Sequence, residues 1–290
     1  MSNVWFITGS SRGLGRAFTK AALEAGHRVV ATARRPEELS DVISSYGDRV
    51  RAVKLDVTSP ADVEKAVAVA TDAFGRIDVV INNAGYGFIG AFEEMSAEEF
   101  EGQINTNFWG VINVTRAVIS LLRKQRSGHI FQVTSIGGRS AFPGLSAYHA
   151  SKFAIEGFSE ALAQEIAPFG VKLTIVEPGG FRTDWSGASM AFAKRIEDYE
   201  PSIGAIKELV QNHTGNEPGD PQKAAAVVVK IAGEENPPLR LPLGNDAMAI
   251  LRHGYKTASA ELERWAQITN STDFDGLTIS DVDHVVLQNS

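Results

Sequence analysis

No cysteine occurs among the 290 residues, which excludes a disulfide framework, a thiolate nucleophile and a cysteine metal site. No grouped His/Glu ligands replace them, so a metal-dependent alcohol dehydrogenase is disfavoured. There is no apolar run long enough to span a bilayer. No charged leader or cleavage-site pattern precedes the first apolar stretch, Val4 to Ile7. Lys/Arg blocks are also missing. The basic residues are scattered and the formal net charge is −7, which argues against nucleic acid or an anionic membrane surface as partner. These gaps lead to the expectation of a soluble cytoplasmic protein with neither nucleic acid, membrane nor metal as partner. The apolar fraction of 43% suits a globular chain with a full core.

What is present is alternation. Short β-branched runs at Val4–Thr8, Arg28–Ala33, Val50–Leu55, Val79–Asn82, Ile130–Thr134, Lys172–Val176 and Leu239–Leu243 read as strands. Between them, Leu14–Ala25, Ala61–Phe74, Ala97–Arg123 and Ser146–Ala167 place apolar residues near helical spacing. Continuous apolar strands alternating with helices predict an α/β fold, a Rossmann-type doubly wound parallel sheet of about seven strands with helices on both faces. No Pro/Gly/Ser linker divides the chain, so residues 1–290 read as a single domain. Two stretches depart from the alternation. An insertion at about 181–220 follows the sixth strand, where ligands sit in such sheets, and reads as a cover over the substrate. An extension over about 245–290 holds one more helix and then a tail, 270–290, of open role.

The first strand runs into Thr8-Gly9-Ser10-Ser11-Arg12-Gly13-Leu14-Gly15, where a helix begins. A strand, a glycine turn and a helix N-terminus together let backbone N–H groups approach a pyrophosphate. The spacing is G-x-x-x-G-x-G, not the common G-x-G-x-x-G, and an ordinary tight turn is the competing reading. The end of the second strand separates the cofactors. An acid there would hold the ribose hydroxyl of NAD, whereas an arginine accepts a 2′-phosphate. This chain has Ala33-Arg34-Arg35 and no acid until Glu37. Arg34, with Arg12 in the turn, therefore favours NADP(H) over NAD(H). The competing reading is that both are solvated loop arginines.

Tyr148-His149-Ala150-Ser151-Lys152 opens a long helical segment, and positions i and i+4 share a helix face. A free phenol titrates near ~10, too high for acid–base work at neutral pH. Lowering it by roughly three units takes about 4 kcal/mol, for which Lys152 is the candidate source. Ser135 ends the fifth strand thirteen residues before Tyr148, and its hydroxyl is suited to hold a carbonyl oxygen. His149 lies one position along and points elsewhere, so it reads as structural.

The ordered set Thr8-Gly9-x-x-x-Gly13-x-Gly15, Asp56-Val57, Asn82-Asn83-Ala84-Gly85, Asn107-x-x-Gly110, Ser135, Tyr148-x-x-x-Lys152 and Pro178-Gly179-x-x-x-Thr183 resembles the short-chain dehydrogenases/reductases. The stretch Glu177 to Thr183 is similar to that of the branch holding hydroxysteroid and retinol dehydrogenases. The resemblance implies an enzyme that interconverts an alcohol and a carbonyl by hydride transfer. Tyr148 would then be the acid/base, Lys152 would bind the nicotinamide ribose and lower the phenol, and Ser135 would polarise the carbonyl. It further implies that Asn107 holds a relay water. Gly9, Ser11, Arg12, Gly13, Leu14, Gly15 and Arg34 are expected to contact the cofactor's phosphates, and Asp56 and Val57 its adenine. Asn83, Ala84 and Gly85 are expected beside a ribose. Pro178, Gly179, Phe181 and Thr183 would meet the carboxamide and the phosphates. Phe181 departs from the usual valine or isoleucine. Homodimers or homotetramers are expected from the same resemblance.

Tyr86, Phe88, Arg139, Phe142, Phe181, Trp185, Met190 and Phe192 are the expected pocket wall, which suits an apolar small-molecule substrate. A non-catalytic NADP(H)-binding redox sensor is the alternative. It would be expected to lose Tyr148, Lys152 or Ser135, and all three are present. A sugar-nucleotide epimerase or dehydratase would carry a different glycine turn and a larger C-terminal domain.

Overall fold

The computed structural model describes residues 2–187, 190–213 and 215–274. Its centre is a parallel sheet of seven strands in the order β3-β2-β1-β4-β6-β7-β9. The strands are β1 (Val4–Ile7), β2 (Arg28–Ala33), β3 (Val50–Lys54), β4 (Val79–Asn82), β6 (Gly128–Val133), β7 (Val171–Pro178) and β9 (Arg240–Leu243). Two short strands, β5 (Gly87–Ile89) and β8 (Met190–Phe192), form a separate parallel pair. The helices are α1 (Gly13–Glu24), α2 (Ser40–Tyr46), α3 (Pro60–Phe74), α4 (Ala97–Ile104), α5 (Gly110–Gln125), α6 (Ser146–Ile166), α7 (Glu200–His213), α8 (Pro221–Ala232) and α9 (Asn245–Asn270).

The sheet is buried on both faces because its strands are apolar at odd and even positions alike. Trp5 and Ile7 of β1 face a core shared with Phe18 and Leu23 of α1 and Val228 of α8. Phe6, between them, faces a second core with Val63 of α3, Val118 of α5 and Leu162 of α6. Successive side chains of one strand thus anchor opposite layers. The strand order reverses between β1 and β4, and a crevice opens at such a switch point beyond the strands' carboxyl ends.

Two features depart from the sequence pattern. The continuous helical signal over Ala97–Arg123 is broken by a π-helical turn, Asn105–Trp109. The β5–β8 pair was not foreseen, and it ties the insertion to the segment after β4. Glycines bracket that pair for a reason: a Cβ on Gly87 would lie 2.7 Å from Met190 Cε, and one on Gly90 2.4 Å from Ala193 Cβ.

By internal contacts the chain groups into two units, 1–250 and 251–290, divided within α9 and not at a linker. The second unit contains the remainder of α9 and a short turn after it. Of the expected extension, residues 275–290 lie outside the described residues. Among the described residues, no helix is long and apolar enough to cross a membrane.

Candidate active site

The cleft at the carboxyl ends of the strands has a volume of about 930 Å³ and is lined by residues of the first unit. Its floor begins at the turn after β1. Gly9 and Gly13 have φ of +68° and +54°, values that side chains rarely adopt. Gly15 lies deeper, off the cleft wall. A Cβ there would come within 2.1 Å of the Gly9 carbonyl oxygen and 2.4 Å of Asn83 Nδ2. The turn is therefore closed by backbone packing that only glycine permits. Asn83 braces it, donating through Nδ2 to the Thr8 carbonyl at 2.9 Å. The Thr8 hydroxyl accepts from the Asn83 and Ala84 N–H groups at 2.9 and 3.0 Å. Arg12 is the N-cap of α1 and makes no side-chain capping bond. The N-terminal end of α1 thus presents backbone donors and the positive end of its dipole to the cleft.

Ser11, Arg12, Leu14, Arg34, Asp56, Val57, Ala84 and Gly85 line the same end. The Asp56 carboxylate accepts from the Thr58 N–H at 2.9 Å and the Thr58 hydroxyl at 2.7 Å, which fixes its direction. Arg35 is paired with Glu38. Arg12 and Arg34 make no ion pair among the described residues.

At the other end, Ser135 follows β6, and Tyr148 and Lys152 lie on the first turns of α6. The Ser135 hydroxyl accepts from the Gly137 N–H at 3.0 Å and donates to the Pro178 carbonyl at 3.4 Å. Lys152 donates to the Val133 carbonyl at 3.0 Å, and its Nζ stands 5.7 Å from the Tyr148 ring centroid. Both side chains are buried, and burial shifts the proton affinity of each in favour of its own neutral form. It pushes the Tyr148 phenol up to about 12, against the opposing pull of the Ser135 hydroxyl. It pushes the Lys152 ammonium down to about 8, against the opposing charge of Glu156. For the phenol, the loss of surrounding water outweighs the pull of the Ser135 hydroxyl.

His149 accepts from the Phe142 N–H at 2.9 Å through Nε2, which leaves Nδ1 to donate to the Gly137 carbonyl at 2.7 Å. Both ring nitrogens are committed to holding the loop over the site. Asn107 sits in the π-helical turn, fully buried behind the cleft wall. Its amide donates to the Tyr86 carbonyl and the Ser151 hydroxyl at 3.0 and 3.2 Å, and its oxygen accepts from the Tyr86 N–H at 3.1 Å. Of the expected catalytic and cofactor-contacting residues, Gly15 and Asn107 stand off the wall.

Pro178, Gly179, Phe181 and Thr183 form the wall after β7. Asp246, at the start of α9, accepts from the Gly180 N–H at 2.6 Å and so fixes this loop. Thr183 packs against the glycine turn: a Cβ on Gly13 would be 3.6 Å from Thr183 Cβ. The Phe181 ring lies over Gly219 and also packs on the core of the α1 layer.

The expected apolar wall is met in part. Tyr86, Phe142, Trp185 and Met190 line the cleft, and the Trp185 ring centroid is 5.5 Å from that of Tyr148. Phe88 instead packs with Met95 and Ala147, Arg139 pairs with Glu177, and Phe192 points to solvent. Leu145, Ile206 and Val210 complete the wall. The sequence offered little signal for them, since the last two reach the site only through the fold of the insertion. The insertion is held by Glu94, which accepts from the Ile196 N–H at 2.7 Å and pairs with Lys207 at 3.2 Å.

Residues 3–193 match the family model for short chain dehydrogenase. The chain is 48% identical over 270 residues to Oxidoreductase BOA17 of Botryotinia fuckeliana (strain B05.10), covering 93% of this chain and 98% of that protein. It is 40% identical over 240 residues to a 3-ketodihydrosphingosine reductase of Bacteroides thetaiotaomicron, covering 82% of this chain and 86% of that one. A crystal structure of a short-chain dehydrogenase from Streptomyces avermitilis superimposes with a TM-score of 0.90 at 41% identity, covering 94% of this chain and 100% of the other.

Proposed function

The chain belongs to the short-chain dehydrogenase family of oxidoreductases, and from that premise we propose that it interconverts an apolar secondary alcohol and its ketone, or a primary alcohol and its aldehyde, with NADP(H). The observation that carries this reading is the meeting of Tyr148, Lys152 and Ser135 at one end of a cleft whose other end is the glycine turn with Arg12 and Arg34.

The cleft fits a dinucleotide. The turn is closed by packing of Gly15 on the Gly9 carbonyl, which leaves no room for a Cβ, and the N-terminus of α1 lacks a side-chain cap. Gly13, Leu14 and the turn before them would hold the pyrophosphate, a group that helix N-termini favour. Arg12 and Arg34 would bracket a 2′-phosphate, while Asp56 and Val57 would meet the adenine. Pro178, Gly179, Phe181 and Thr183 would flank the nicotinamide end. The cofactor supplies or accepts the hydride when bound.

The protein's own groups manage the proton and the orientation. With its proton held firmly by burial, Tyr148 is a donor at neutral pH, and it gives that proton to the carbonyl oxygen during reduction. In the oxidative direction the phenol first passes its proton to the neutral amine of Lys152, and the phenolate then receives the proton of the alcohol. Ser135 donates to the same oxygen and aligns it with the phenol. Lys152, on the same helix face as Tyr148, restores the phenol's proton and balances negative charge that develops there. Trp185, Phe142, Leu145 and Met190 keep water from the reacting carbonyl and select an uncharged, apolar substrate. That preference is consistent with a relative named as a 3-ketodihydrosphingosine reductase. The presence and convergence of Tyr148, Lys152 and Ser135 disfavour a non-catalytic sensor. A homodimer or homotetramer is part of the same reading.

Fluorescence titration with NADPH and NADH, followed by absorbance assays on a panel of apolar ketones and aldehydes, tests the proposal. Tighter binding of NADPH with turnover of an apolar ketone supports it. Equal or tighter binding of NADH would show Arg12 and Arg34 to be solvated loop residues.

A further inference from the structure

Beyond the reacting pair, the face of α6 that carries Tyr148 and Lys152 continues to Glu156 and Glu160, each four residues further along. Glu156 is 4% exposed and Glu177, on β7 beside it, is fully buried. Buried carboxylates need cationic or hydrogen-bonding partners. Arg240 of β9 supplies one guanidinium: it pairs with Glu156, with Glu177 at 2.7 Å and with Glu160 at 2.5 Å. Arg139, after β6, supplies another and pairs with Glu177 at 3.0 Å.

Three carboxylates meet two guanidiniums, which leaves one negative charge without a guanidinium, and Lys152 lies one helical turn before Glu156 on the same buried face of α6. Two carboxylate oxygens, Glu156 Oε1 and Glu177 Oε2, are buried with no hydrogen-bond partner. The first of these abuts the turn after Ser135: a Cβ on Gly138 would stand 2.9 Å from Glu156 Oε1 and 3.2 Å from the Lys152 carbonyl oxygen. The nearby Thr134 hydroxyl already donates to the Val176 carbonyl at 3.0 Å.

We propose that Glu156 is a positioning residue for the reaction, its negative charge holding Lys152 in the ammonium form and so setting the pH up to which Tyr148 can be reprotonated. The inference rests on the reading of Tyr148 and Lys152 as the reacting pair.

The charges around Glu156 act in both directions. Burial raises its proton affinity, the Thr134 hydroxyl lowers it, Glu177 raises it and Arg240 lowers it, with a net rise. For Lys152 burial works against the ammonium and Glu156 works for it. Ionisation of Glu156, one helical turn further along the same face, stabilises the charge on Lys152. Glu160 shares Arg240 but is half exposed, so its field at Lys152 is screened.

The test is a pH titration of the lysine ε-carbon by NMR in protein labelled with 13C-lysine, with Lys152→Met identifying the resonance. In Glu156→Gln the Lys152 midpoint falls by roughly one unit, and in Glu160→Gln it stays at the wild-type value. The alkaline limb of the ketone-reduction profile moves with the midpoint in Glu156→Gln. An unchanged Lys152 midpoint in Glu156→Gln overturns the proposal, as does a shifted midpoint with an unshifted rate profile. Should Glu156→Gln fail to fold, the wild-type titration decides, because a Lys152 curve with no second inflection from a neighbouring carboxyl contradicts the coupling. Absence of Tyr148-dependent turnover in the wild type would instead strike the functional reading, while the NMR midpoint would still report on Glu156.

Discussion

The Lys152 ammonium donates to the carbonyl oxygen of Val133 at 3.0 Å. This bond joins α6 to the last residue of β6 and so fixes the helix face bearing Tyr148 against the strand end bearing Ser135. The separation of the reacting groups is thereby set by secondary structure and not by loops. A site built on rigid elements holds its geometry more closely than one built on loops.

The glycine turn gives the first prediction. Gly15→Ala places a methyl 2.1 Å from the Gly9 carbonyl oxygen, so the turn must open. The expected cost is about 1–3 kcal/mol of stability together with loss of NADPH binding. Gly157→Ala is the contrast, since nothing lies within 4 Å of its added Cβ. In the interior of α6 it should stabilise by about 0.5–1 kcal/mol. Urea denaturation of both variants, with NADPH titration, checks the pair.

Arg34→Ala tests the cofactor assignment. A hydrogen bond to a charged group contributes about 1.5–3 kcal/mol, which corresponds to roughly 10- to 100-fold in affinity. NADPH binding should weaken by that factor and NADH binding should not. Equal weakening of both would assign Arg34 to a contact common to the two cofactors.

His129 gives a prediction about pH and stability. Its Nε2 lies 2.9 Å from the Thr174 hydroxyl, which itself donates to the Pro238 carbonyl, so Nε2 carries the proton. Burial, reinforced by the charge of Lys172, pushes the ring down from 6.5 to about 3. Because the folded value lies below the unfolded one, the unfolded chain takes up the proton first as pH falls. The stabilisation is complete above pH 6.5 and is lost progressively toward pH 3, at up to about 1.4 kcal/mol per pH unit. His129→Gln should flatten this acid dependence in urea melts between neutrality and pH 5. A variant with the wild-type slope would place the acid sensitivity elsewhere.

The sequence made the sheet legible because its strands are short, apolar and separated by helices of clear period. Arg28–Ala33 and Val79–Asn82 coincide with β2 and β4. The β5–β8 pair was hidden for physical reasons: each strand has three residues, and their pairing joins segments about a hundred positions apart. Local patterning carries no information on such a contact. The π-helical turn at Asn105–Trp109 was equally silent, since its apolar residues continue the helical period. Most of the motif residues line the cleft, because the glycine turn, Ser135 and the segment after β7 all stand at the carboxyl ends of strands. Glu156, Glu177 and Arg240 were passed over. Each looks like an ordinary charged residue in the chain, and only the fold gathers them beside Lys152.

The central claim is that Tyr148 exchanges the proton with the substrate oxygen. The most direct measurement is turnover of an apolar ketone by Tyr148→Phe, with NADPH binding measured on the same preparation. The account predicts that kcat falls by about 10²- to 10⁴-fold while NADPH affinity is unchanged. Turnover at the wild-type rate with intact binding would contradict it.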